Sequence, residues 1–234
     1  MTGLRFTTAR GLLRMARCTT IADRTTSQRE MWRVNDEQVE LLNVIEAHAH
    51  VFAAKPRKVG FSTAGSFATL QEMGEASTRG ERMRAVFAID KDDKALEHLE
   101  RAEDWADQWK IRVSVKRSPP RALVFRSGAH YDFLTMGSDE PGRGGDIDRL
   151  QITELPYAAH PERAYHSLRS ACTDKAPILI ETTLTTLDPF VASFWRGARR
   201  DPVTRVVVPL GTEFHRHMSF VENQKSYRLP MVSV

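Results

Sequence analysis

The sequence predicts an α/β fold, a mostly parallel sheet covered by helices on both faces, and three observations carry the prediction. Short runs rich in Val, Ile, Leu, Phe and Ala alternate along the chain with segments of helical spacing. Most of those runs are apolar throughout, as strands buried on both faces are, for example 177–180 and, after a leading arginine, 84–89 and 205–208. In sheets of this kind ligands collect at the carboxyl ends of the strands. Three strand ends here carry useful groups: a basic turn after residue 54, Glu154, and the run Glu181, Thr182, Thr183.

Taken in order, residues 1–31 hold Arg5, Arg10, Arg14 and Arg17 before the first acid, Asp23, with frequent Ser and Thr. This reads as a basic helical arm packing through Leu12, Leu13, Met15 and Ala16; the same composition describes a mitochondrial transit peptide. Asn35 opens a helix with Val39, Leu42, Ile45 and Ala49 on one face, and Gln38 completes a capping box. A strand over 51–54, the turn 55–63 and a helix over 62–77 follow. Next come the strand 84–89, ending at Asp90, and an amphipathic helix burying Ala95, Leu96, Leu99, Ala102, Ala106 and Trp109.

Residues 112–116 alternate as a strand, and Ser118, Pro119 and Pro120 break it. Segments 121–126 and 131–136 form a hairpin around Ser127 and Gly128. A glycine-rich loop over 137–145 precedes the strand 149–154. The helix 161–172, the strand 177–180, the helix 188–199 and the strand 205–208 complete the alternation. The organisation predicted is an arm (1–31), one nucleotide-type domain (32–210) and a tail or hinge stub (211–234).

Composition removes several function classes. A chain of 234 residues with 41% hydrophobic and 27% charged content can bury a substantial soluble core. No apolar run approaches the roughly 20 residues a membrane helix needs. The net charge of +4 leans mildly toward polyanionic partners. Cys18 and Cys172 have no framework spacing, which fits a reducing compartment. His48 with His50, and His215 with His217, lack a clear third ligand for zinc. No Gly-x-Ser-x-Gly elbow signals a hydrolase triad.

The turn Lys55-Pro56-Arg57-Lys58-Val59-Gly60-Phe61-Ser62-Thr63 sits between strand and helix, as a phosphate-binding loop does. It departs twice from G-x-x-x-x-G-K-[ST]: Lys55 stands at the first glycine and Phe61 at the lysine. Gly60 permits close backbone approach, Ser62 supplies a hydroxyl for Mg²⁺, and Lys55, Arg57 and Lys58 supply positive charge. A second strand should bring an acid. Leu150-Gln151-Ile152-Thr153-Glu154 does so, with threonine where an aspartate is expected.

In order and spacing these segments resemble the ATPase domain of the large terminase subunit, the DNA-packaging motor of tailed bacteriophages and gene-transfer particles. Four stretches carry the resemblance, over roughly residues 32–210. One branch of that family sets the Walker A lysine at the loop's first position, as Lys55 stands here. Arg126-Ser127-Gly128 with Phe133-Leu134-Thr135 is similar to its glycine hairpin, and Gly142-Arg143-Gly144-Gly145 before 148–154 to its R-G loop and Walker B strand. Ile178-Leu179-Ile180-Glu181-Thr182-Thr183 resembles its coupling motif, with threonine for serine.

The resemblance implies a P-loop NTPase of the additional-strand type that hydrolyses ATP with Mg²⁺ and is stimulated by DNA. Lys55 would contact the β- and γ-phosphates, with Arg57, Lys58, Gly60, Ser62 and Thr63 completing the cradle and Ser62 ligating the metal. Glu154 would orient the attacking water, and Arg143 would stabilise γ-phosphate charge or relay nucleotide state. Thr182 and Thr183 would couple hydrolysis to movement. Gln38 matches an adenine-sensing glutamine, and also serves as a helix cap. The implied partners are double-stranded DNA, a small terminase subunit, a portal protein and further copies of the chain, in the cytoplasm of a bacterial host. Two other readings stay open: a catalytically degenerate DNA- or portal-binding module, and a helicase-like ATPase outside packaging. The terminase nuclease domain is not expected, because roughly 50 residues follow the coupling motif and their acids are scattered.

Overall fold

The computed structural model describes residues 9–22, 28–55, 59–137, 145–183 and 204–207. Helix α1 (Ala9–Ala16) and a short hairpin, β1 (Thr20–Ala22) with β2 (Arg29–Met31), precede α2 (Asp36–Ala47). The main sheet begins with β3 (His50–Lys55), followed by α3 (Phe61–Thr78), β4 (Arg84–Ile89) and α4 (Asp92–Gln108). Then come β5 (Val113–Lys116), β6 (Arg121–Phe125), β7 (His130–Thr135) and β8 (Arg149–Thr153). A 3₁₀ turn (Leu155–Tyr157), α5 (Pro161–Ser170), β9 (Ile178–Thr183) and β10 (Thr204–Val207) complete the described elements.

Eight strands form one sheet in the order β10-β3-β9-β8-β4-β7-β6-β5. From β10 to β7 every pair is parallel, and β6 and β5 add an antiparallel edge. Strand β9 lies between β3 and β8, so the strand carrying Lys55 and the strand leading to Glu154 are separated by one further strand. This is the additional-strand arrangement of a P-loop NTPase.

Period-two alternation gives the sheet two apolar faces. Val51, Ala53, Phe87, Tyr131, Phe133 and Leu179 pack with α2, α3 and α4 on one. Phe52, Ala54, Val86, Leu150, Ile152 and Ile180 pack with α5 on the other. Fully burying each large side chain contributes about 1.5–3 kcal/mol. Helix α2 starts with a complete capping box between Asn35 and Gln38 and carries Asp36 and Glu37 in its first turn, where the helix dipole favours acids.

The N-terminal segment is anchored to this core. Leu12 and Ala16 of α1 are buried, and Leu13 and Met15 pack partly against the same cluster. Trp109 Nε1 donates to Thr19 Oγ1 at 2.9 Å, and Thr20 N donates to Gln108 Oε1 at 2.8 Å. Phe67 meets Trp32, Trp105 and Trp109 edge-on at 4.5, 5.3 and 4.8 Å. Such contacts add about 0.5–1.5 kcal/mol each beyond burial.

Two helix faces differ from expectation. On α2 the buried residues are Gln38, Leu41, Leu42 and Ile45, while Ala49 is exposed beyond the end of the helix. Gln38 turns inward because its amide has backbone partners in the following loop. On α4, His98 and Trp105 are buried, whereas Leu96 and Trp109 are partly so. The expected helix 188–199 and the segment 211–234 lie outside the described residues.

Candidate functional site

The parallel strands bring their carboxyl ends to one edge of the sheet, and β3, β9 and β8 are consecutive there. Lys55 ends β3, and Gly60 opens α3 with φ +80°. The glycine is required on two counts. A Cβ at that φ is strained, and it would stand 2.3 Å from Gln38 Nε2. The Gln38 amide donates to Val59 O at 3.1 Å and Gly60 O at 3.3 Å, while its Oε1 accepts from Asn35 N at 3.2 Å. Gln38 therefore caps α2 and fastens the loop at the same time.

The first turn of α3 directs backbone N–H groups and the positive end of the helix dipole toward this edge, which suits an anion. Phe61, at the usual lysine position, is fully buried in the core instead. The cation comes from Lys55. Its Nζ lies 3.0 Å from Glu154 Oε1 and 3.0 Å from Glu181 Oε2, and the side chain is 7% exposed. Burial is the largest influence on this ammonium and pulls its pKa down; the carboxylates of Glu181 and Glu154 outweigh it, so the pKa rises above the ordinary lysine value.

Ser62 Oγ donates to Glu181 Oε1 at 2.5 Å and lies 3.2 Å from Thr153 Oγ1. Thr153 Oγ1 also donates to Glu181 Oε1. Glu181 is fully buried, and its Oε2 pairs with the Lys55 ammonium at 3.0 Å.

Glu154 follows β8 with φ +57° and ψ +40°, a left-handed conformation uncommon for a residue with a side chain. Its N–H donates to Glu181 O at 2.9 Å. Its carboxylate accepts from Thr183 N at 2.9 Å, Thr183 Oγ1 at 2.9 Å and Thr182 Oγ1 at 3.2 Å. Burial, the largest influence, would raise its pKa; Lys55 and the Thr183 donors hold it below the ordinary value. Glu154 is thus an ionised acceptor, fixed between β3 and β9.

The structure joins Lys55, Ser62, Glu154, Thr182 and Thr183 in one network through Glu181. Gln38 and Gly60 support the loop beside it. Thr63 Oγ1 is engaged elsewhere, accepting from Arg101 Nη1 of α4 at 3.2 Å. Arg57, Lys58 and Arg143 lie outside the described residues.

Three site residues escaped the sequence reading. Glu181 appeared there within a strand-end motif but carried no role of its own. Gln151, two positions before Thr153, donates to Ser62 O at 3.2 Å and steadies the first turn of α3. Asp90, just after β4, has its carboxyl pKa raised by burial, and the charge of Glu154 reinforces the shift. An acid directly after an apolar strand is the signal that marks Asp90.

Among the described residues no group of three His, Cys, Asp or Glu could hold a metal by itself. Mg²⁺ at phosphate sites needs few protein ligands, since waters and phosphate oxygens complete its octahedron. A serine hydroxyl that gives its proton to a buried carboxylate keeps its lone pairs for such an ion. No helix among the described residues is long and apolar enough to cross a membrane.

No protein-family model matches the sequence. No curated protein matches it. Solved structures do. The large terminase of bacteriophage HK97 superimposes with TM-score 0.63 at 12% identity, over 95% of this chain and 49% of that one. The large terminase ATPase domain of Thermus phage P74-26 gives TM-score 0.57 at 14% identity, over 85% of this chain and 90% of that one. A large terminase from a thermophilic bacteriophage gives 0.58 at 12% identity, over 83% of this chain and 52% of that one. The same thermophilic protein has also been solved in complex with ADP. The chain has the fold of these proteins and spans about half the length of the HK97 and thermophilic-phage large terminase chains.

Proposed function

We propose that this chain is the ATP-hydrolysing motor domain of a DNA-packaging terminase, driving double-stranded DNA into a procapsid. The observation that carries the reading is the meeting of Lys55 at the end of β3, Glu154 after β8 and Ser62 in the first turn of α3 around Glu181 of the intervening β9. The shared fold and the ADP complex of one structural neighbour support it.

The phosphates of ATP enter at the first turn of α3, where free N–H groups and the helix dipole meet negative charge. Lys55 would neutralise the β- and γ-phosphates, with further charge from Arg57 and Lys58 of the same turn, and Arg143 is assigned to the γ-phosphate by the terminase resemblance. Arriving phosphate competes with Glu154 for the Lys55 ammonium. As that ion pair loosens, Glu154 keeps its donors from Thr182 and Thr183 and gains an oxygen with which to orient water for in-line attack. When bound, Mg²⁺ neutralises charge developing on the β- and γ-oxygens, and Ser62 would hold it. The Glu154 contacts to β9 give the γ-phosphate a physical connection to a second strand, which suits Thr182 and Thr183 to coupling.

DNA would be gripped through backbone phosphates and not base edges, so affinity would fall with salt. A small terminase subunit, a portal protein and further copies of this chain complete the machine in the host cytoplasm. The test is phosphate release with and without double-stranded DNA. DNA stimulation that Lys55→Ala and Glu154→Ala abolish is expected. DNA or portal binding indifferent to nucleotide and to Lys55→Ala would replace the motor with a binding module, and strand separation on a forked substrate would replace it with a helicase.

A further inference from the structure

In phosphate loops of this kind the metal-bearing hydroxyl is held by an aspartate at the end of the acid strand. Here that position is Thr153, which cannot carry charge. The missing charge has not left the site. Glu181 of β9 is the register partner of Thr153 on β8, so their side chains leave neighbouring parallel strands on the same face of the sheet. Thr153 and Ser62 both donate to the same oxygen, Oε1 of Glu181. The second oxygen, Oε2, pairs with the Lys55 ammonium at 3.0 Å, so the two oxygens of Glu181 divide the hydroxyls from the lysine.

We infer that Glu181 is the metal-side carboxylate of this site, replacing the aspartate absent at Thr153. The inference rests on the nucleotide-binding reading above. Its chemistry follows from the donors. A hydroxyl has one proton and two lone pairs; Ser62 gives its proton to Glu181 and keeps both lone pairs for a cation. Accepting that bond makes the serine oxygen more electron-rich and fixes its direction. Thr153 donates to the same oxygen and so helps to fix the carboxylate beside Ser62. Adjacent strands are about 4.8 Å apart, and the extra methylene of glutamate over aspartate lets the acid serve from β9. Lys55 restrains Oε2 and orients the group from β3. Glu154, held by three donors on the far side of Lys55, is left to the water.

The test measures binding of the non-hydrolysable analogue AMP-PNP to the full chain by titration calorimetry, once with Mg²⁺ and once with EDTA. The wild type should bind more tightly with Mg²⁺, by about tenfold or more, a scale set by residues that hold metal ligands. Glu181→Gln should bring that ratio close to one. The double variant Thr153→Asp/Glu181→Thr returns the acid to the neighbouring strand and should restore the ratio. It also keeps one carboxylate at the site, so it decides the matter even if Glu181→Gln unfolds. A magnesium ratio in Glu181→Gln equal to that of the wild type overturns the inference and leaves the ATP reading standing, as does a double variant that folds and shows no magnesium effect. No AMP-PNP binding by the wild type in either buffer overturns both together.

Discussion

Two buried charged sites lie under α3, one at each end of β8, and they are built differently. At the start of β8, Arg149 Nη1 meets Glu72 Oε2 at 2.6 Å and Arg149 Nε donates to Thr69 Oγ1 at 2.9 Å. The two residues are 3% and 4% exposed, and their charges cancel. At the other end, among the described residues, the Lys55 ammonium faces the carboxylates of both Glu154 and Glu181. Removing charge from water costs several kcal/mol per ion, and a matched pair recovers much of that through its own attraction. The Arg149–Glu72 pair is neutral in itself, so it reads as a fastening of α3 to the sheet. The Lys55 cluster carries surplus negative charge beside a helix N-terminus, and such a surplus suits a place where a cation is handled. The two buried ionic sites thus differ in charge balance, one neutral in itself and one not.

The largest expected effect is at the unbalanced end. Lys55→Ala should lower ATP turnover by about 10³-fold, roughly 4 kcal/mol of transition-state stabilisation, in steady-state phosphate release. At the balanced end the effect should fall on stability instead. Glu72→Gln leaves Arg149 without its counter-charge and should cost about 3–5 kcal/mol in denaturant unfolding, whereas Arg149→Met with Glu72→Leu should recover most of it. If that double variant loses turnover as Lys55→Ala does, the distinction between the ends collapses.

Gly60→Ala sharpens the contrast at the loop. It meets both a positive φ and the Gln38 amide, and should cost roughly 1–3 kcal/mol while raising KM for ATP. The smallest effect is on pH. Glu154 has a folded pKa below its ordinary value of 4.5, so its contribution to stability is present above that value. It is lost as pH falls through the folded pKa. Acid unfolding of Glu154→Gln should accordingly show a shallower loss of stability below pH 4.5 than the wild type.

Much of this site was legible because its parts are local. Lys55, Gly60 and Ser62 lie within one turn, and Glu154 closes an apolar strand, so the chemistry and the strand end coincide in sequence. The role of Glu181 was not, since it depends on Thr153 and Glu181 being register partners across 28 residues of chain. Nothing in either segment alone states that pairing. The seam of Arg149, Gln151 and Thr153 against Glu72, Ser62 O and Ser62 Oγ was hidden for the same reason. The fold was legible from strands apolar on both faces. The hairpin of β1 and β2 was not, because three residues per strand leave no period to detect. On α2 the expected face was displaced by Gln38, a polar residue drawn inward by backbone carbonyls that a hydrophobic pattern does not record.

Gln38 has one more consequence, a mechanical one. The amide that completes the cap of α2 also holds the two carbonyls at the threshold of α3, so both helices are riveted at one point. A tug on the first turn of α2 reaches Val59 and Gly60 at the start of α3 through two hydrogen bonds, without passing through the sheet. The two helices therefore share one fastening point at the entrance to α3.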